Sequence, residues 1–186
     1  MNTFLVNSPE PPTPADWRTA YPLAYRQRIE RLAEEHEIPL YLLYAVVREE
    51  SYFDPKSSSR ASASGLMQLM PATAEEMAGR LDMQSYDLDD PEDNLRLGTE
   101  YLSWLHMKMG TWTRTLMAYN AGPTRVRRWI RRSGAIPDVM MVERFPFAET
   151  RHYVRKIMVT TILYSLLYTE DIGVSEAVVL FFPSLP

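Results

Sequence analysis

The chain reads as a mainly α-helical fold. Apolar residues recur at helical spacing over most of its length from Ala15 onward. Glycine is scarce, at 7 of 186 residues, against 11 methionines and 11 tyrosines, which favours helices and aromatic-lined surfaces over sheets. There is no alternation of strand-like and helix-like segments and no internal repeat.

Tyr25 to Glu35 carries Ile29, Leu32 and Ala33 at helical spacing with charges between them. Pro39 suits the first turn of the next helix, which runs through Leu40, Leu43, Val46 and Val47 to about Ser51. Asp54-Pro55 stops it, because the residue before proline avoids the helical region. Lys56 to Ser64 is a polar loop with five serines, Leu66 to Leu69 a short apolar segment, and Pro71 opens a helix through about Arg80. After an acidic loop, Ser85 to Pro91, helical spacing resumes from Asp93 to Met109. Trp112 to Tyr119 forms another helix, broken at Asn120-Ala121-Gly122-Pro123. Val126, Trp129 and Ile130 mark a following one. Phe145-Pro146-Phe147 leads into a last long helix, Ala148 to Tyr168.

The length suits one domain with a sizeable core. Hydrophobic content of 46% and charged content of 24% are those of a globular chain. With no cysteine, disulfide and thiolate chemistry are excluded, and the net charge of −4 argues against a nucleic-acid binder. No apolar run is long enough for a membrane span, and Met1 to Val6 lacks the pattern of a secretory signal. Prolines 9, 11, 12 and 14 mark 1–14 as a linker or fragment end, with the folded domain over 15–170 and an apolar tail over 171–186.

One acidic side chain stands out. On the helix from Leu40 to Ser51, Leu43 and Val47 define an apolar face, and Glu50 falls at i+7 and i+3 from them. Glu49 falls about 100° away, beside Arg48, and is expected to be solvated. Desolvation would keep Glu50 protonated near neutral pH, as a general acid requires. Inward carboxylates are nonetheless more often structural, so helix phase alone leaves both roles open. His36, His106 and His152 lack metal-ligand spacing, no metal or cofactor is expected, and no phosphate loop or nucleophile elbow is present. Five arginines between 125 and 132 form either a solvated helix face or a contact for an acidic partner.

The segment Glu50-Ser51-x-Phe53-x-Pro55, then Ser59, then Gly65-Leu66-Met67-Gln68-Leu69-Met70-Pro71-x-Thr73-Ala74 resembles the signature of soluble lytic transglycosylase catalytic domains. So do Asp90-Pro91-Glu92-Asp93-Asn94-Leu95-x-x-Gly98-x-x-Tyr101-Leu102, Ala118-Tyr119-Asn120-Ala121-Gly122-Pro123 and Phe145-Pro146-Phe147-x-Glu149-Thr150-Arg151-x-Tyr153-Val154. The resemblance implies a lysozyme-like helical domain with its active-site cleft between helical lobes. It implies cleavage of the β-1,4 bond between N-acetylmuramic acid and N-acetylglucosamine without water, leaving 1,6-anhydromuramoyl ends. Glu50 then matches the catalytic acid and base. Ser59, Gln68, Met70 and Tyr119 match cleft residues that hold sugar and N-acetyl groups, and Glu149 matches a glutamate on the peptide-stem side. Asn120, in the same block, either bonds an acetamido group or caps its helix. The partner is the peptidoglycan glycan strand, the location the periplasm or cell envelope, and the expected state a monomer. The alternatives are a goose-type lysozyme-like hydrolase and a catalytically silent glycan-binding module. Two positions depart from the family's habit: glutamine is common where Glu49 stands, and glycine where Ser62 stands.

Overall fold

A computed structural model describes residues 11–134, 136–169 and 173–181. They form ten helices and no strand; the only β pairing is two isolated bridges, Ser58 with Ser64 and Ser64 with Leu69. The order is α1 (Pro14–Ala20), α2 (Arg26–Glu35), α3 (Leu40–Ser51), α4 (Pro71–Arg80), α5 (Pro91–Met109), α6 (Trp112–Ala121), α7 (Pro123–Ser133), α8 (Asp138–Arg144), α9 (Ala148–Tyr168) and α10 (Gly173–Phe181). None of the described helices is long and apolar enough to cross a membrane.

The boundaries follow from local chemistry. Thr13 and Asp16 cap α1 reciprocally, so the chain is already folded at Thr13; residues 1–10 of the expected linker, with Pro9, lie outside the described residues. The carboxylate of Asp90 accepts from the amides of Glu92 and Asp93, which starts α5 at Pro91, two residues earlier than the apolar spacing suggests. Helix α6 runs on through Asn120 and Ala121 to Gly122, whose φ of 85° lets the chain turn straight into α7 at Pro123. The end of α3 is set before Pro55: Tyr52 and Phe53 both take left-handed conformations, and the Ser51 hydroxyl accepts from the amide of Phe53 at 3.1 Å. Helix α8 has no counterpart in the sequence reading, because seven residues give too few turns for a periodic signal.

Helix α3 lies at the centre. Leu42, Leu43, Tyr44, Ala45, Val46 and Val47 are all fully buried, so this helix is covered nearly all round rather than on one face. Helices α2 and α9 pack against it, α9 most extensively, and α9 also meets α6 and α10. Two apolar clusters result. The larger joins α2, α3, α5, α6 and α9 and takes in Phe181 of α10, so part of the apolar C-terminal stretch is core. The smaller gathers Leu69, Ala74, Met77, Ala78 and Leu97 between the 65–69 loop, α4 and α5. These are the two lobes of a lysozyme-like domain, with a cleft between them.

Candidate active site

The loop that forms one wall of the cleft is held by a single buried amide. Asn94 on α5 accepts from the amide of Met67 at 2.8 Å and donates to the carbonyls of Ser64 at 3.0 Å and Leu88 at 2.9 Å. The Met67 amide is buried and would otherwise be unpaired, while the two carbonyls are partly buried and that of Ser64 also receives the Leu69 amide at 3.0 Å. The approach leaves no room for side chains. A Cβ on Gly65, whose φ is +78°, would sit 2.0 Å from the Asn94 amide nitrogen, and one on Gly98 would sit 2.7 Å from the Met67 Cβ. Ser51 ties the same loop to α3, its hydroxyl donating to the Leu66 carbonyl at 2.8 Å. Gln68 is left-handed and its amide donates to the carbonyls of Ser57 and Gly65 at 2.9 and 3.0 Å. Ser62, where glycine is common in the family, is also left-handed at φ 69°, the region glycine occupies without cost.

Opposite this wall stand the end of α6 and the start of α7. Between them lies a cavity of about 370 Å³ lined by Gln68, Met70, Tyr101, Tyr119, Asn120 and Pro123, among others. Four residues singled out from the sequence, Gln68, Met70, Tyr119 and Asn120, therefore converge. Met70 is exposed on the rim at 44%. The Tyr119 hydroxyl donates to the Met67 carbonyl at 2.8 Å, bridging the two walls. The carbonyl oxygen of the Asn120 amide accepts from the buried Thr150 hydroxyl at 2.7 Å, which leaves its NH2 as the free donor. Ser59, Glu149 and Glu50 are not part of this cavity lining. The Ser59 hydroxyl accepts from the amides of Ala61 and Ala63 in its own loop, and Glu149 is exposed in the first turn of α9.

Glu50 is half-buried at the end of α3, and its Oε1 accepts a hydrogen bond from the Tyr153 hydroxyl at 2.5 Å. Burial raises its pKa to about 7; the charge of Glu49 pushes the same way, while the Tyr153 hydrogen bond and Lys156 pull against it. Both tyrosines beside it are pushed well above the ordinary phenol range, chiefly by burial and next by the Glu50 charge, so they stay neutral donors. A carboxyl that titrates near neutrality, faced by neutral phenols, can give up a proton and take one back. Tyr153 carried no assigned role in the sequence reading. Its place in the block after Glu149 is the one signal that could have marked it.

The expectation for Glu49 is corrected. Its side chain is 1% exposed and lies in an ion pair with Arg48 and, at 2.5 Å, with Lys156; the Thr160 hydroxyl donates to it at 2.7 Å. Phase alone placed it on a polar side, but α3 has no polar side at this level, because α9 covers it. The loop aspartates serve their own turns: Asp54 accepts from the Lys56 amide, Asp87 from Asp89, Asp93 from Asp87, and Asp90 caps α5. The arginines of α7 are exposed and form no ion pair among the described residues.

Residues 27–140 match the family model described as the Transglycosylase SLT domain. The chain is 41% identical over 145 residues to the soluble lytic murein transglycosylase of Escherichia coli, covering 74% of this chain and 22% of that protein. Its fold matches the 70 kDa soluble lytic transglycosylase of Escherichia coli with a TM-score of 0.79 at 36% identity, over 86% of this chain and 26% of that one. An inactive mutant of the lytic transglycosylase Slt from Pseudomonas aeruginosa matches with a TM-score of 0.77 at 34% identity, over 81% and 25%. The chain thus spans about a quarter of the length of these relatives. The family match covers both cleft walls and Glu50, and more than half of the chain: the chain belongs to the transglycosylase SLT domain family.

Proposed function

We propose that this domain cleaves peptidoglycan glycan strands as a lytic transglycosylase, with Glu50 as acid and then base. The observation that carries this reading is a half-buried glutamic acid at the end of α3 with a pKa raised to about 7, whose charge acts on Tyr119 of the cavity lining, and without a free second carboxylate. Among the described residues, Glu49 is the one other carboxylate whose charge reaches it, and Glu49 is locked between two cations. Hydrolytic glycosidases space two carboxyls about 5–5.5 Å or about 6.5–9.5 Å apart, the second serving as nucleophile or activating water.

A single carboxyl suffices for the non-hydrolytic route. Glu50 protonates the glycosidic oxygen as its bond to C1 of N-acetylmuramic acid breaks. The substrate's own N-acetyl group stabilises the electron-poor C1. The Glu50 carboxylate, supported by the Tyr153 hydroxyl, then takes the proton of the C6 hydroxyl as that oxygen bonds to C1. The anhydro ring closes, Glu50 is protonated again, and no water is consumed. Tyr119 bridges the cleft walls and positions the reacting sugar. The free Asn120 NH2 is a donor for an acetamido carbonyl, with Gln68 and Met70 lining the same cavity. Ser59 and Glu149 are assigned to outer parts of the groove, Glu149 toward the stem peptide. The substrate places the site of action in the periplasm or cell envelope, and a monomer is sufficient for this chemistry.

Mass spectrometry of digested peptidoglycan tests the reading. Products lighter than hydrolysed reducing ends by one water are expected. Reducing ends would instead establish a hydrolase, and binding without product release a silent module.

A further inference from the structure

The ion-paired group beside Glu50 has no part in the bond-breaking steps, yet its Arg48–Glu49 pair is the most deeply buried ion pair among the described residues. Glu49, 1% exposed, holds Arg48 and Lys156 on its two oxygens and receives the Thr160 hydroxyl. Arg48 is itself fixed: its guanidinium donates to the Ala20 carbonyl at 3.2 Å and stacks 4.0 Å over the Tyr21 ring. The Lys156 ammonium also reaches the Tyr52 hydroxyl at 3.2 Å. Burial draws the Lys156 pKa down, but the hydrogen bond and charge of Glu49 outweigh it, and the ammonium stays charged.

Tyr153, Lys156 and Thr160 sit at i, i+3 and i+7 on α9 and so share one face. The first holds Glu50; the other two hold Glu49. The titratable groups whose charge state bears on Glu50 are Glu49 on its own helix, Tyr153 and Lys156 on α9, and Tyr119 on α6. Both tyrosines are neutral in the working range, which leaves Glu49 and Lys156 as the two opposed charges at the acid. The family's frequent glutamine at this position would carry no charge.

We propose that the Glu49–Lys156 ion pair is a positioning element for Glu50, holding the end of α3 against α9 and fixing the pH range in which Glu50 can donate its proton. This rests on Glu50 as the acid of the proposed reaction, but its test does not depend on turnover. Each member acts through Glu50 and touches no substrate in this scheme.

The experiment is direct NMR titration of the Glu50 carboxyl carbon, assigned by its loss in Glu50→Gln, in wild type, Glu49→Gln and Lys156→Met. Glu49→Gln leaves both cations uncompensated, so the Glu50 midpoint should fall, by about one pH unit. Lys156→Met leaves Glu49 with Arg48 alone, so the midpoint should rise by a similar amount. The alkaline limb of the pH–rate profile should move with each midpoint. Midpoints that stay in place, or that move in the same direction in both variants, overturn the proposal. If the buried Arg48 prevents Glu49→Gln from folding, Lys156→Met decides alone, because that lysine side chain is 34% exposed and its loss opens no deep cavity. Absence of anhydro products would count against the transglycosylase reading and not against these titration shifts.

Discussion

The Tyr153 hydroxyl donates to Glu50 Oε1 at 2.5 Å, across 103 positions of sequence, and joins the end of α3 to the first turns of α9. The bond favours the charged form of Glu50, whereas burial, the larger effect, favours the neutral one. The carboxyl is thereby poised near neutrality and not locked in either state.

The role proposed for Glu50 predicts that removing its carboxyl removes the chemistry. Glu50→Gln should cut cleavage by about 100- to 10 000-fold, the usual contribution of a positioned acid–base group. Circular dichroism should remain that of the wild type. Near wild-type release of anhydro products by this variant would end the assignment of Glu50.

Tyr153→Phe deletes a donor that stabilises the Glu50 carboxylate, so the Glu50 pKa should rise above about 7. The alkaline limb of the rate profile should move upward, and the later step, which needs the carboxylate as base, should slow. A pH series of initial rates checks the direction; a downward move of that limb would contradict it.

The pH dependence of stability carries the opposite sign to that of an ordinary carboxylate. The Glu50 pKa is raised from 4.5 to about 7, so between those values the native state binds more protons than the unfolded one. The stabilising contribution is full below pH 4.5 and is lost as pH rises through 7. The loss amounts to at most about 3 kcal/mol, less what solvent in the cleft screens. Glu50→Gln, which cannot ionise, should therefore gain stability relative to wild type as pH goes from 5 to 8, a trend that urea unfolding at several pH values would register or exclude.

Asn94→Ala leaves the buried Met67 amide without its acceptor and removes donors from the partly buried Ser64 and Leu88 carbonyls, the first of which still receives the Leu69 amide. A loss of about 2–4 kcal/mol in denaturant unfolding is expected, on the order of one to three unpaired buried groups. Activity should fall with it, because the same loop carries the Met67 carbonyl that receives Tyr119.

Thr150→Val removes the hydroxyl that orients the Asn120 amide. If that amide holds the substrate's acetamido group, KM should rise several-fold while kcat changes little, at about 1 kcal/mol for one hydrogen bond. An unchanged KM would leave Asn120 as a structural residue.

Most of the helical layout could be read from periodicity and punctuation. Pro71, Gly110, Gly122 and Pro123 mark ends because their backbone limits act locally, and α3, α4 and α9 fall where spacing and proline put them. Helix α8 could not be read this way, since seven residues carry no usable period, and α10 needed the core that receives Phe181.

The site divides in the same manner. The motif blocks pointed to Glu50, Gln68, Met70, Tyr119 and Asn120 because their spacing reflects one loop and two helix ends. The sequence by itself determined the helical class, the family resemblance and which glutamate is proposed as the acid. Only the tertiary structure decided what surrounds that acid. Glu49 looked solvated as long as α3 was treated as a helix with one wet face; α9 covers that face, and a neighbouring carboxylate becomes half of a buried ion pair. Tyr153 and Lys156 reach the end of α3 from more than 100 positions away. Local backbone preference fixes where helices begin and end, but the charge and hydrogen bonds at Glu50 depend on which surfaces the folded chain brings together.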